Sequence, residues 1–172
     1  MSPRDASLPV VLASVLALAA GPAWARSSDR NQPMDLQSDN SDCAVDDAGG
    51  PCLFVGNVHI VQGTLDIRAA KADVRRGGGD IQRVLLTGSP VLLKQQLDSG
   101  AMINARAAAV EYDLPRDTVV FTGNVELDQP GRGTMSGARI VYNMSTGQVQ
   151  GGGGENGQVR TRILPKGAQG GN

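Results

Sequence analysis

Few side chains in this sequence could do chemistry. His59 is its only histidine, so a Ser-His-Asp or Cys-His arrangement would have to use it. It lies in Phe54-Val55-Gly56-Asn57-Val58-His59-Ile60-Val61-Gln62, on the polar side of an alternating run. That position reads as a surface or rim histidine with no base role. Asp46-Asp47 fall in the Asp- and Gly-rich stretch before Pro51 and read as solvated turn charges. The glycine runs at 77–79 and 151–154 lack the following helix that would make a phosphate cradle. Arg75-Arg76 could meet an anionic headgroup, but beside Gly77 they read as a solvated turn. P-loop and zinc spacings are missing. No catalytic residue, metal ligand or cofactor is assigned, and the chain reads as a non-enzyme.

The remaining reactive pair is Cys43 and Cys52, and its meaning depends on the compartment. Residues 1–25 read as a signal peptide. Arg4 gives a weak positive start, partly offset by Asp5, an apolar run follows over 8–20, and Ala23-Trp24-Ala25 ends in small residues. Cleavage is expected after Ala25. A retained anchor is the alternative, but the run is short for a bilayer span. No cysteine stands at the cleavage point to carry a lipid. In an exported chain, two cysteines flanking a turn read as a disulfide stapling a hairpin, with two free thiols as the alternative. The small loop makes such a bridge worth roughly 2–3 kcal/mol on the chain-entropy model.

The elements that position these residues are strands, and they repeat. F-x-G-N-V-x-[I/L]-x-Q stands at Phe54 to Gln62 and again at Phe121-Thr122-Gly123-Asn124-Val125-Glu126-Leu127-Asp128-Gln129. A degenerate copy is Leu86-Thr87-Gly88-Ser89-Pro90-Val91. Such recurrence marks one supersecondary unit used several times. In the second copy Phe121, Gly123, Val125 and Leu127 alternate with Thr122, Asn124, Glu126 and Asp128, the period of a strand with one covered face. The internal glycine suggests a bulge, a bend or close backbone approach. A second echo reads Ile67-x-Ala69-x-x-Ala72-x-Val74, Ile103-x-Ala105-x-x-Ala108-x-Val110 and Met135-x-Gly137-x-x-Ile140-x-Tyr142. All three are read as strands, despite the helical propensity around Ala107. Ala69, Ala105 and Gly137 would let facing layers approach closely. Strands are expected at 81–86 and 91–96, bent at Gly88-Ser89-Pro90, and a last one at 159–164.

The 172 residues suffice for one domain. Abundant glycine (23 residues) and scarce aromatics (3%) suit short strands and turns rather than a dense enzyme core. A net charge of -1 gives no support for a nucleic-acid partner. The residues alone leave two readings of the apolar face: a filled sandwich core, or a groove left by incomplete closure.

Phe54-x-Gly56-Asn57-Val58-x-x-x-Gln62-Gly63-Thr64, with Ile67-x-Ala69-x-Lys71, resembles the LptA (OstA) family of periplasmic lipopolysaccharide-transport bridges. So do Pro33-Met34-Asp35-Leu36-Gln37-Ser38-Asp39 and Tyr112-x-Leu114-x-x-Asp117-x-Val119-x-x-Thr122-Gly123-Asn124. The likeness spans about 31–165; the Cys43–Cys52 hairpin departs from it. It implies an all-β fold: a twisted, V-shaped β-jellyroll of antiparallel strands, open at both ends, over 33–165. A flexible N-terminus is expected at 26–32 and a disordered tail at 166–172. The resemblance further implies a periplasmic protein that shields lipid A acyl chains of lipopolysaccharide. Its expected partners are inner-membrane LptC, the N-terminal domain of outer-membrane LptD, and head-to-tail copies of itself. Met34, Leu36, Leu93, Tyr112 and Leu114 match interior positions of the family. Phe54, Val58, Ile60, Leu65, Ile67, Phe121, Val125 and Leu127 are added by alternation. A charge at Ile60 or Tyr112 is expected to abolish lipid binding while the fold survives. The joints are expected near Met34 and Leu36 at one end and over 159–164 at the other. The alternatives are an exported structural or adhesive β-repeat protein that binds no lipid, and a carbohydrate-binding jellyroll. The latter is disfavoured because only four aromatics, Phe54, Tyr112, Phe121 and Tyr142, follow the cleavage site.

Overall fold

The computed structural model describes residues 29–44, 50–152 and 157–165. The expected signal peptide with its cleavage site, the 166–172 tail and Asp46-Asp47 lie outside them. Ten strands form one antiparallel sheet: β1 (Met34–Gln37), β2 (Asn40–Cys43), β3 (Cys52–Gln62), β4 (Leu65–Gly77), β5 (Asp80–Gln96), β6 (Met102–Asp113), β7 (Thr118–Gln129), β8 (Gly133–Asn143), β9 (Val149–Gly152) and β10 (Arg160–Ile163). The path across it is β1-β3-β4-β5-β6-β7-β8-β10, with β2 also on β3 and β9 also on β8. From β3 to β8 each strand lies beside its predecessor in the chain. The two outermost rows are each made of two short strands end to end. Met34 faces Gln62 while Asn40 faces Val55. Arg139 faces Gly152 while Arg160 faces Ser136. β1 and β10 do not pair, so the sheet is unclosed.

Alternation sets the inner face as expected. In β7, Val119, Phe121, Val125 and Leu127 are buried while Thr122, Asn124 and Glu126 are exposed. The bend is less expected in its extent. Pairing slips between Val55 and Val58, Arg68 and Lys71, Thr87 and Val91, Arg106 and Ala109, and Thr122 and Val125. These slips line up across the strands as one row of bulges. In β3 and β7 the bulge is the Gly-Asn of the repeated motif, with positive φ at Gly56, Asn57, Gly123 and Asn124. Glycine adopts that conformation without strain, and asparagine tolerates it better than most residues. In β4 and β6 the burial parity switches instead, from Ile67 to Ala72 and from Ala107 to Val110. The i, i+2, i+5, i+7 spacing of the second echo is this switch in β4. Bulges bend strands and increase twist, so a row of them folds the sheet across its width.

Three local expectations change. The stretch at 81–96 is one strand, β5, bulged at Gly88-Ser89-Pro90, rather than two. Pro90 thus sits in a central strand, where the bulge removes the need for its missing N–H. The Arg75-Arg76-Gly77 segment belongs to β4, leaving Gly78-Gly79 as the turn. Asp29–Asn31, expected to be disordered, forms a 3-10 turn. Its Asp29 is buried and accepts a hydrogen bond from the Thr64 hydroxyl at the β3–β4 turn. Gln62 adds a bond from Nε2 to the Gln32 carbonyl, 3.1 Å. These contacts fasten the entry to β1. Cys43 and Cys52 face each other across the β2–β3 pair and are joined as a disulfide.

Candidate functional site: the apolar interior

Inward side chains from every part of the bent sheet meet in one hydrophobic core. Inside it is a cavity of about 20 Å³. Met34, Ile60, Leu65, Ile67, Leu93 and Gln95 line it from the end where β3 turns into β4. Val84, Tyr112, Val119, Tyr142 and Met144 line it from the opposite end, with Leu86 and Val110 between. Residues from opposite ends of a sheet share a cavity only if the sheet twists over on itself. The bulge row supplies that fold. No charged side chain is in the lining. The volume holds about one water, and an apolar cavity of that size stays dry. An acyl chain therefore cannot enter without separation of the two halves of the sheet. Their unjoined edges leave that movement open. A larger cleft of about 810 Å³ lies between β7, β8 and the start of β10, but its lining includes Arg106, Glu126, Ser136 and Arg160 and faces solvent.

Of the residues expected to meet lipid, Met34, Ile60, Leu65, Ile67, Leu93 and Tyr112 line the cavity. Val58, Phe121, Val125 and Leu127 are buried in the surrounding core. Leu36, Phe54 and Leu114 are partly buried against it. Sequence reasoning missed Val84, Leu86, Gln95, Val110, Val119, Tyr142 and Met144. In β5 the run Val84-Leu85-Leu86 has no alternation to read, and Leu85 is the outward member. The echo around Val110 and Tyr142 was available as a signal. Ile60 and Tyr112 are only 2% and 9% exposed. A charge there would be buried without a partner and would endanger the fold itself, so the expected charged variants do not separate binding from folding.

The outer face carries the polar groups. His59 is half-buried there, and its Nε2 donates to Asp66 Oδ2 at 3.1 Å. This is a cross-strand contact between β3 and β4, remote from the apolar lining. Arg83–Glu111 at 3.3 Å and Arg106–Glu126 at 3.7 Å are similar exposed pairs, each of small energetic weight. Among the described residues no cluster of His, Cys, Asp or Glu could hold a metal ion.

Residues 35–148 match the family model described as LptA/(LptD N-terminal domain) LPS transport protein. The chain belongs to this LptA family. The match takes in all of the cavity lining except Met34. The lipopolysaccharide export system protein LptA of Escherichia coli (strain K12) is 34% identical over 161 residues, covering 92% of this chain and 85% of that protein. LptA of Haemophilus influenzae is 31% identical, covering 91% of each chain. The crystal structure of LptH, the LptA-homologous periplasmic component of the Pseudomonas aeruginosa lipopolysaccharide transport device, superposes with a TM-score of 0.72. It covers 80% of this chain and 99% of LptH at 23% identity, a likeness of fold. The LptA relatives are export-system proteins rather than enzymes.

Proposed function

We propose that this LptA-family chain is a periplasmic lipopolysaccharide-binding protein that bridges inner and outer membranes. One observation carries the reading: an uncharged apolar interior is enclosed by a sheet whose edges are not joined. An acyl chain of about a dozen carbons exposed to water costs roughly 10 kcal/mol, at about 0.8 kcal/mol per methylene. Opening the two halves of the sheet and closing them on the chain recovers much of that. The carrier needs no catalytic group. The driving energy comes from elsewhere in the transport system.

The outermost strands provide the joints. β1 and β10 each have one unpaired backbone edge, which can take a strand from another protein by β-addition. Joining the β1 edge of one copy to the β10 edge of the next is a head-to-tail contact that grows without closing. The same geometry suits an LptC partner at the inner membrane and the N-terminal domain of LptD at the outer membrane.

A photo-crosslinking amino acid at Tyr112, with exposed Asn124 as the control, tests the reading in cells. A lipopolysaccharide adduct at Tyr112 alone is expected. Adducts at neither position, in a folded and exported protein, would make the interior plain core and return the choice to a structural β-repeat. Adducts at both would reduce the interaction to non-specific membrane contact.

A further inference from the structure

The two outermost rows of the sheet carry opposite charge. The row of β1 and β2 holds Asp35 and Asp42 and no Lys or Arg, and Asp39 stands between the two strands. The row of β9 and β10 holds Arg160 and Arg162 and no Asp or Glu. Asp39 is already engaged, accepting from Asn57 Nδ2 at 2.8 Å on the β3 bulge. Asp35, Arg160 and Arg162 are exposed, and none forms an ion pair among the described residues. Strands between these rows do pair charges across the same face, as in His59–Asp66, Arg83–Glu111 and Arg106–Glu126. At the edges the corresponding partner strand is missing.

Face parity is matched as well. Leu36 lies opposite buried Ile60, so Asp35 beside it is on the outer face. Arg160 and Arg162 lie opposite Ser136 and Thr134, which in turn oppose Glu126 and Asp128 of the outer face. Thr161 lies opposite Met135, which packs on the core, so Thr161 and Ile163 are on the inner side. Every pairing along the sheet path is antiparallel, which makes β10 run opposite to β1. A second copy that continues the sheet therefore adds its β1 antiparallel to β10. Each of these strands has four residues. Paired over their full length, they set Asp35 of one copy against Arg162 of the other on the outer side. On the inner side Met34 then meets Ile163, and the apolar interior runs on across the joint.

We propose that Asp35 and Arg162 are the specificity pair of the joint between copies, selecting unlike edges and fixing their register. This rests on the edges being the joints. Directly opposed residues on one face of an antiparallel pair interact favourably when their charges are opposite and unfavourably when they are alike. Two β10 edges brought together with matching faces set arginines side by side, and two β1 edges do the same with aspartates. The charges thus penalise both self-pairings and leave the unlike joint, which is specificity by repulsion as much as by attraction.

The test measures association by sedimentation for the wild type, Asp35→Arg, Arg162→Asp and the double variant that carries both changes. Each single reversal is expected to weaken association about fivefold, and the double to recover to within about twofold of the wild type. Raising the salt to about 1 M is expected to shrink the differences, since exposed charges are then screened. Melting temperatures close to the wild type check that the variants fold, and Asp35→Asn and Arg162→Gln, which remove charge without reversing it, are expected to weaken association about twofold. Single variants that associate like the wild type overturn the pair, as does a double variant no better than the singles. A wild type that stays monomeric removes the head-to-tail reading and the pair with it. Assemblies shortened by Ile163→Asp but indifferent to both reversals and to salt keep the edge joint and remove the pair.

Discussion

Arg116 lies three residues after Asp113 at the β6–β7 turn, and its guanidinium donates to Asp113 Oδ2 at 2.7 Å. That side-chain bond, above all, holds the Asp113 carboxyl below the usual carboxylate range, against an opposing effect of desolvation. A depressed folded pKa gives stabilisation that is present above the unfolded value, about 4, and is lost as pH falls through the folded one. In Arg116→Ala the Asp113 carboxyl is expected to titrate at higher pH, followed by carbon NMR. An unmoved titration would assign the shift to something other than Arg116. At this scale the sequence was legible where a strand alternates cleanly, as around Phe121, and opaque where it does not. Val84 and Leu86 were missed because Leu85 between them is as apolar as they are. Gln95 was missed because a glutamine in a strand reads as outward until burial is known.

Among the elements, the row of bulges decides the shape. Gly123 (φ +80°) and Gly100 (φ +81°) share a backbone conformation but differ in surroundings. A Cβ on Gly123 would stand 2.8 Å from the Ala108 Cβ, whereas one on Gly100 would meet nothing within 4 Å. Gly100→Ala is expected to lose about 1 kcal/mol from backbone strain alone. Gly123→Ala is expected to lose clearly more, measured by denaturant unfolding; equal losses would mean that the bulge yields to Ala108. Reducing the Cys43–Cys52 bridge, which closes a loop with a sequence separation of 9, is expected to lower stability by roughly 2–3 kcal/mol. A melting temperature indifferent to reductant would refute that. Both bulge motifs stood in the sequence, as Gly-Asn and as i, i+2, i+5, i+7. The glycine of the first reads as a bulge, a bend or close backbone approach and the small residues of the second as close approach between layers, while aligning them into one row requires the register of five strand pairs. The N-terminal 3-10 turn was illegible for a related reason: Asp29 is polar, and its partner Thr64 lies 35 residues away.

For the whole molecule, fold class followed from alternation, repeats and the resemblance to LptA. The cavity lining did not, because which inward residues meet depends on how the bent sheet folds over. The same shape leaves Ile163 on β10 80% exposed at an unpaired edge. Ile163→Asp is expected to change stability by less than about 0.5 kcal/mol, as exposed substitutions do. It should also shorten head-to-tail assemblies in sedimentation while leaving the Tyr112 adduct of the monomer in place. Assemblies of undiminished length would move the joint away from β10. The order of strands also governs how the chain can fold. From β3 to β9 each strand pairs with the one just made, and β10 returns to β8, so loops closed during folding stay short and their entropic cost low. No pairing joins the first strand to the last. A chain emerging from its N-terminal side can therefore build the sheet strand by strand as it arrives, without waiting for its own end.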